Sequence, residues 1–123
     1  MARVAMIVED EALIAMSLEE GFSDAGFVVA GPFSACADAI NFLRSETPHV
    51  AILDSVLSDG LCLELARELR HRGVPFLVYS GAAALTEYSS DFTGVHFIEK
   101  PADTGFVVET AIGLCGSGGE QSR

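Results

Sequence analysis

A chain of 123 residues is the size of one domain, and half of its residues are hydrophobic, enough to bury a core. The formal net charge is −11, from 18 acidic against 7 basic residues. That balance argues against nucleic acid and anionic membrane as partners, because phosphate-bearing surfaces select basic proteins. Most of the acids are expected on a solvated surface.

The cysteines, Cys36, Cys62 and Cys115, are odd in number and lack CxxC spacing. They suggest neither a disulfide framework nor a zinc site, so reduced thiols and a cytoplasmic location are the expectation. The start lacks the basic region followed by an apolar stretch and cleavage site that marks a signal peptide. No apolar run reaches the length of a membrane span.

Strand and helix patterns alternate along the chain. A first strand is expected over Arg3 to Val8 and a helix over Glu11 to Asp24. That helix carries Leu13, Ile14, Leu18 and Phe22 at helical spacing and ends at Gly26. A short second strand, Phe27 to Ala30, should end at Gly31-Pro32. A second helix follows over Ser34 to Arg44, then a third strand from Val50 to Asp54. A turn at Ser58-Asp59-Gly60 leads into a third helix, Leu61 to His71, closed by Gly73. The fourth strand is Pro75 to Tyr79. A weak fourth helix, about Ala83 to Ser90, precedes a fifth strand, Val95 to Ile98. The last helix is expected from Asp103, with Asp103 or Thr104 as its cap, to Leu114. The Gly- and Ser-rich residues 116–123 read as a disordered tail.

Alternating strands and helices favour a doubly wound parallel α/β sheet. Strands three and four are almost wholly apolar, as required when helices cover both faces. In such a sheet, ligands bind at the carboxyl edge of the strands. Three strands end there in charge: Glu9-Asp10-Glu11, Asp54, and Glu99-Lys100 before Pro101. Lys100 is the only lysine in the chain. Acids from two strands and an ammonium from a third would form a pocket suited to a divalent cation and a phosphoryl group. Magnesium prefers hard oxygen ligands, which Asp10 and Asp54 can supply, with Glu9 acting through water. A carboxylate can attack phosphorus to give an aspartyl phosphate, and catalysis of that transfer is mainly positioning and charge stabilisation. Lys100 would pair with phosphoryl oxygens as a point charge, and Ser80 would offer a hydroxyl beside the open Gly81.

The motifs Val8-Glu9-Asp10-Glu11, Ile52-Leu53-Asp54, Tyr79-Ser80-Gly81 and Glu99-Lys100-Pro101, in this order and each at a strand end, resemble the receiver domain of two-component response regulators. The resemblance spans about residues 3 to 114 and defines a receiver unit over residues 1–115. It implies a flavodoxin-like sheet of five parallel strands in the order 2-1-3-4-5. It implies that Asp54 is the phosphoacceptor, and that Asp10, Asp54 and the Val56 backbone carbonyl hold Mg2+, with Glu9 assisting through water. Ser80 falls at the family's Ser/Thr switch, Phe97 at its aromatic switch and Lys100 at its phosphate-binding lysine. The Lys100–Pro101 bond is expected to be cis.

The chain departs from the family pattern in places. Phe97 lacks the hydroxyl of the commoner tyrosine. The segment 55–60 is short and lacks its usual proline. Val56 and Ala82, at positions that tune hydrolysis, are apolar, which implies a slowly self-hydrolysing phosphoryl group.

The implied function is a stand-alone phosphoacceptor that transfers a phosphoryl group only onto its own Asp54. The donor would be a histidine kinase or a histidine phosphotransfer protein, and the signal would leave through a downstream protein. The fourth helix, fifth strand and fifth helix form the implied output face and a possible homodimer interface. The alternative is a degenerate receiver that binds a partner without phosphorylation. A phosphatase of the haloacid-dehalogenase type usually needs a second Asp where Val56 stands. A nucleotide or flavin binder would want a GxGxxG turn, which is absent.

Overall fold

The computed structural model describes residues 2–54, 56–61, 63–81 and 96–121. The elements in chain order are β1 (Val4–Val8), α1 (Ala12–Asp24), β2 (Val28–Phe33), α2 (Cys36–Leu43), β3 (Val50–Leu53), β4 (Val56–Leu57), β5 (Gly60–Leu61), α3 (Leu63–His71), β6 (Phe76–Ser80), β7 (His96–Glu99) and α4 (Thr104–Gln121). The helix expected over residues 83–90 lies outside the described residues, as do Cys62 and Ala82. α4 is therefore the last helix of the sequence pattern.

The main sheet is parallel, in the order β2-β1-β3-β6-β7. Counting only its five strands, this is the order 2-1-3-4-5 of a doubly wound sheet. Successive side chains of a strand point to opposite faces, and the two cores follow that rule. Met6 and Val8 join Ala51, Leu53 and Val78 against Ala39 and Leu43 of α2 and Leu65 and Leu69 of α3. Ala5 and Ile7 join Val50, Ile52 and Leu77 against Leu18 and Phe22 of α1 and Val107 and Ala111 of α4. Helices on both faces explain the unbroken apolar runs of β1, β3 and β6.

Several local expectations are corrected. Leu13 is 80% exposed, and α1 buries Ala15, Leu18 and Phe22 instead. Helical spacing defines a stripe but not its edge, and Leu13 falls outside it. β2 does not stop at Gly31-Pro32; it runs on to Phe33, with a register shift opposite Met6 to Val8. Gly31 makes this possible. Its φ is +100°, and a Cβ there would lie 2.6 Å from the Ile7 carbonyl oxygen and 2.8 Å from the Phe33 nitrogen. Only glycine fits both constraints. α3 begins at Leu63, not Leu61, because the preceding residues form a β4–β5 hairpin in which Leu57 faces Gly60. α4 runs past the expected end at Leu114 to Gln121. Once a helix is nucleated, each further residue adds a hydrogen bond, so weak formers can extend it.

The hairpin is tied to the start of α2. Asp59 accepts from the backbone N–H groups of Cys36 (2.8 Å) and Ala37 (3.2 Å). Those two bonds hold the Asp59 carboxyl below the usual carboxylate range. Asp59 thus does the capping work that Ala35, at the N-cap, cannot do. Ser58 adds bonds to the Ser34 carbonyl from its N–H (3.1 Å) and its hydroxyl (2.8 Å). Asp103 caps α4 as expected, accepting from Phe106 N–H at 3.2 Å. Gly26 and Gly73 close α1 and α3 as expected, with return bonds from Phe27 N–H to Phe22 and from Val74 N–H to Leu69.

The cysteines also depart from expectation. Cys36 is disulfide-bonded, not a reduced thiol, whereas Cys115 is a free, buried thiol. Spacing along a chain does not reveal which cysteines meet in space. Among the described residues, no helix is long and apolar enough to cross a membrane.

Candidate functional site

The carboxyl edge of the sheet gathers the expected residues. Backbone bonds carry the ladders one residue past the strands. Glu9 N–H donates to the Phe33 carbonyl (2.9 Å), Asp54 N–H to Val8 (2.8 Å) and Lys100 N–H to Ser80 (2.7 Å). Glu9, Asp54 and Lys100 therefore leave the sheet at fixed positions. The Lys100–Pro101 bond is cis, as expected. Beyond it, the Tyr79 hydroxyl both donates to the Ala102 carbonyl and accepts from its N–H, each at 3.0 Å.

Asp54 is buried at the end of β3, and both its oxygens are held. The Ser80 hydroxyl donates to Oδ1 at 2.5 Å, and Lys100 Nζ donates to Oδ2 at 2.9 Å. Lys100 Nζ also donates to Glu9 Oε2 at 3.0 Å and to Glu11 Oε2 at 2.7 Å. One ammonium thus serves three carboxylates. A pocket of about 340 Å³ opens over them, lined by Asp10, Glu11, Asp54, Ser80, Gly81 and Lys100.

Glu11 is the member that sequence reasoning missed. The motif at the end of the first strand contains it but assigns it no role of its own. Its backbone N–H bonds Glu9 Oε2 at 3.1 Å, which folds the turn after β1 back on itself. No spacing rule reveals that turn; only the length of the glutamate side chain hints at its reach. Asp10, expected as a direct ligand, is exposed and lines the pocket. Phe97 is partly buried against the α2/α3 core. Val56 opens β4, two residues past Asp54.

The donor set fits a hard divalent cation. Carboxylate oxygens of Glu9, Glu11 and Asp54 all lie within 4.8 Å of one another. Among the described residues Glu9 Oε1 is buried without a hydrogen-bond partner, an arrangement a cation would relieve.

Charge crowding is visible in the acidities. Burial, reinforced by the neighbouring Asp54 charge, pushes the Glu9 carboxyl up to about 7, against the pull of the Glu11 N–H and Lys100. Burial alone would lower the Lys100 pKa, but its bonds to Glu11, Asp54 and Glu9 outweigh that and hold it above the ordinary lysine range. The Glu9 shift has a testable sign. Between its ordinary value of 4.5 and about 7, the folded protein binds more protons than the unfolded chain. Stability of the metal-free protein therefore falls as pH rises through that window. Glu9→Gln should flatten the fall by up to about 3 kcal/mol, read from urea unfolding at pH 5 and pH 8. Parallel pH profiles for the two proteins would refute the assignment.

The fold and this edge define a class: a doubly wound α/β domain with acids and a lysine converging at the ends of its strands. Residues 5–111 match the response regulator receiver domain. The chain belongs to that family. It is similar to a response regulator receiver protein from Sinorhizobium medicae WSM419, with 26% identity and a TM-score of 0.82 over 94% of this chain and 95% of that one. It is also similar to SdrG from Sphingomonas melonis Fr1, with 27% identity and a TM-score of 0.75 over 94% and 96% of the two chains. A CheY-like receiver from Methanospirillum hungatei JF-1 shares the fold, with 19% identity and a TM-score of 0.82 over 98% and 99%. No curated protein sequence matches the chain.

Proposed function

We propose that the chain accepts a phosphoryl group on Asp54 from a phosphohistidine of a kinase or phosphotransfer protein. The observation that carries this reading is the state of Asp54: buried at the pocket floor, with Ser80 and Lys100 each donating to one of its oxygens. A carboxylate oxygen of Asp54 attacks phosphorus, the P–N bond to the donor breaks, and the imidazole leaves with the bonding pair. Ser80 and Lys100 already point at the carboxylate, so their donors are placed to receive the oxygens of the incoming group. Asp10 and Asp54, with the Val56 carbonyl, would hold Mg2+, and Glu9 would assist through water. When bound, the ion supplies charge neutralisation to the phosphoryl oxygens.

The protein would turn over no external substrate. Apolar residues at Val56 and Ala82 favour slow self-hydrolysis. Ser80 and Phe97 would relay the modification to an output face made of residues 83–90, β7 and α4, and a cytoplasmic partner would read it. The same face would serve any homodimer.

Intact mass after incubation with phosphoramidate and magnesium tests this directly. One phosphoryl adduct is expected, absent in Asp54→Ala and in magnesium-free samples. No adduct from a folded protein, with a phosphohistidine donor also failing, would favour a phosphorylation-independent binding module.

A further inference from the structure

We propose that Glu11 is a positioning residue that holds Lys100 in the unphosphorylated state and releases it to the phosphoryl group. This rests on Asp54 being the phosphoacceptor. An ammonium has three donors, and all three of Lys100's are spent on Glu9, Glu11 and Asp54. A phosphoryl group arriving at Asp54 brings new acceptor oxygens, so one existing bond must open.

The three carboxylates differ sharply in what they would lose. The side chain of Glu9 is 1% exposed and that of Asp54 is 5% exposed, whereas that of Glu11 is 59% exposed. Among the described residues Glu9 already has one oxygen without a partner; losing Lys100 would leave the other oxygen of a buried charge with the Glu11 N–H alone. Glu11 can exchange Lys100 for water at little cost. Its bond is nonetheless the shortest of the three, 2.7 Å, so it competes with the phosphoryl group until it opens. Glu11 therefore stabilises the resting arrangement more than the reacting one, and interactions of that kind slow the chemical step.

Glu11→Gln should accept a phosphoryl group from phosphoramidate about threefold faster than the parent at saturating magnesium, the scale an exposed ion pair allows. The parent should speed up as ionic strength rises, because salt screens the exposed pair, and the variant should not. Lys100 is the only lysine, so ¹⁵N-lysine labelling gives one side-chain ammonium signal. That signal should move in Glu11→Gln before phosphorylation and match the parent's afterwards. Glu11→Ala repeats the test without an amide. Equal or slower rates in both variants, with a phosphorylated parent, would overturn the release role alone. No adduct on any of the proteins would overturn the phosphoacceptor reading and this role with it.

Discussion

Lys100→Met is expected to destabilise the metal-free protein by about 3 kcal/mol at pH 8, the scale seen when one partner of a buried ion pair is removed. The measurement is urea unfolding, with a lower midpoint at unchanged slope. Methionine keeps the apolar stem and removes only the charge. Glu9 and Asp54 are then left buried without their ammonium. The loss should shrink at pH 5, because Glu9, with its pKa near 7, carries its proton there. Magnesium should restore part of the stability at pH 8 by replacing the missing positive charge. Lys100→Arg is expected to recover less than its charge suggests, since a planar guanidinium cannot aim one centre at three carboxylates. A loss of the same size at both pH values would show that packing, not charge, accounts for it.

Gly31→Ala should cost a similar amount, about 3 kcal/mol, by a different route. An alanine there meets both a strained backbone and an overpacked contact. The Cβ would press on the Ile7 carbonyl at 2.6 Å, so β1 or β2 must shift. Gly26→Ala is the control: its φ is +91° but its surroundings are open, so only the backbone component of about 1 kcal/mol should remain. Gly31 also has a functional consequence. The strand that continues past it ends in Phe33, whose carbonyl fixes Glu9. Gly31→Ala should therefore weaken magnesium binding in the fraction that stays folded, and Gly26→Ala should not. Equal stabilities for the two variants would remove the steric argument.

The parallel sheet was legible because three apolar runs ended in charge and helices separated them; its strand order followed from the family resemblance. Asp54, Ser80 and Lys100 could be read for the same reason: strand ends meet at one edge whatever their sequence separation. The Asp103 cap was legible from local chemistry, and the cis Lys100–Pro101 bond from the family resemblance. Other features depend on what only the folded chain brings together. The β4–β5 strands have two residues each, too few to show a period. Asp59 caps a helix that begins 23 residues earlier, and no local pattern announces that. Gly31-Pro32 looks like a breaker because those residues usually are; here the bulge absorbs them. Glu11 was hidden because its backbone turns back toward Glu9 before its side chain reaches Lys100.

The solitary lysine, sunk among three acids, also determines how the domain meets amine-reactive reagents. Acylating agents attack the neutral amine, and Glu9, Glu11 and Asp54 keep Lys100 protonated and largely enclosed. Lysine-directed acylation of the intact domain should therefore be slow. Modification at Lys100 would count the molecules in which the cluster has come apart, giving a chemical clock for the opening of the pocket in a protein that has no tryptophan to report it.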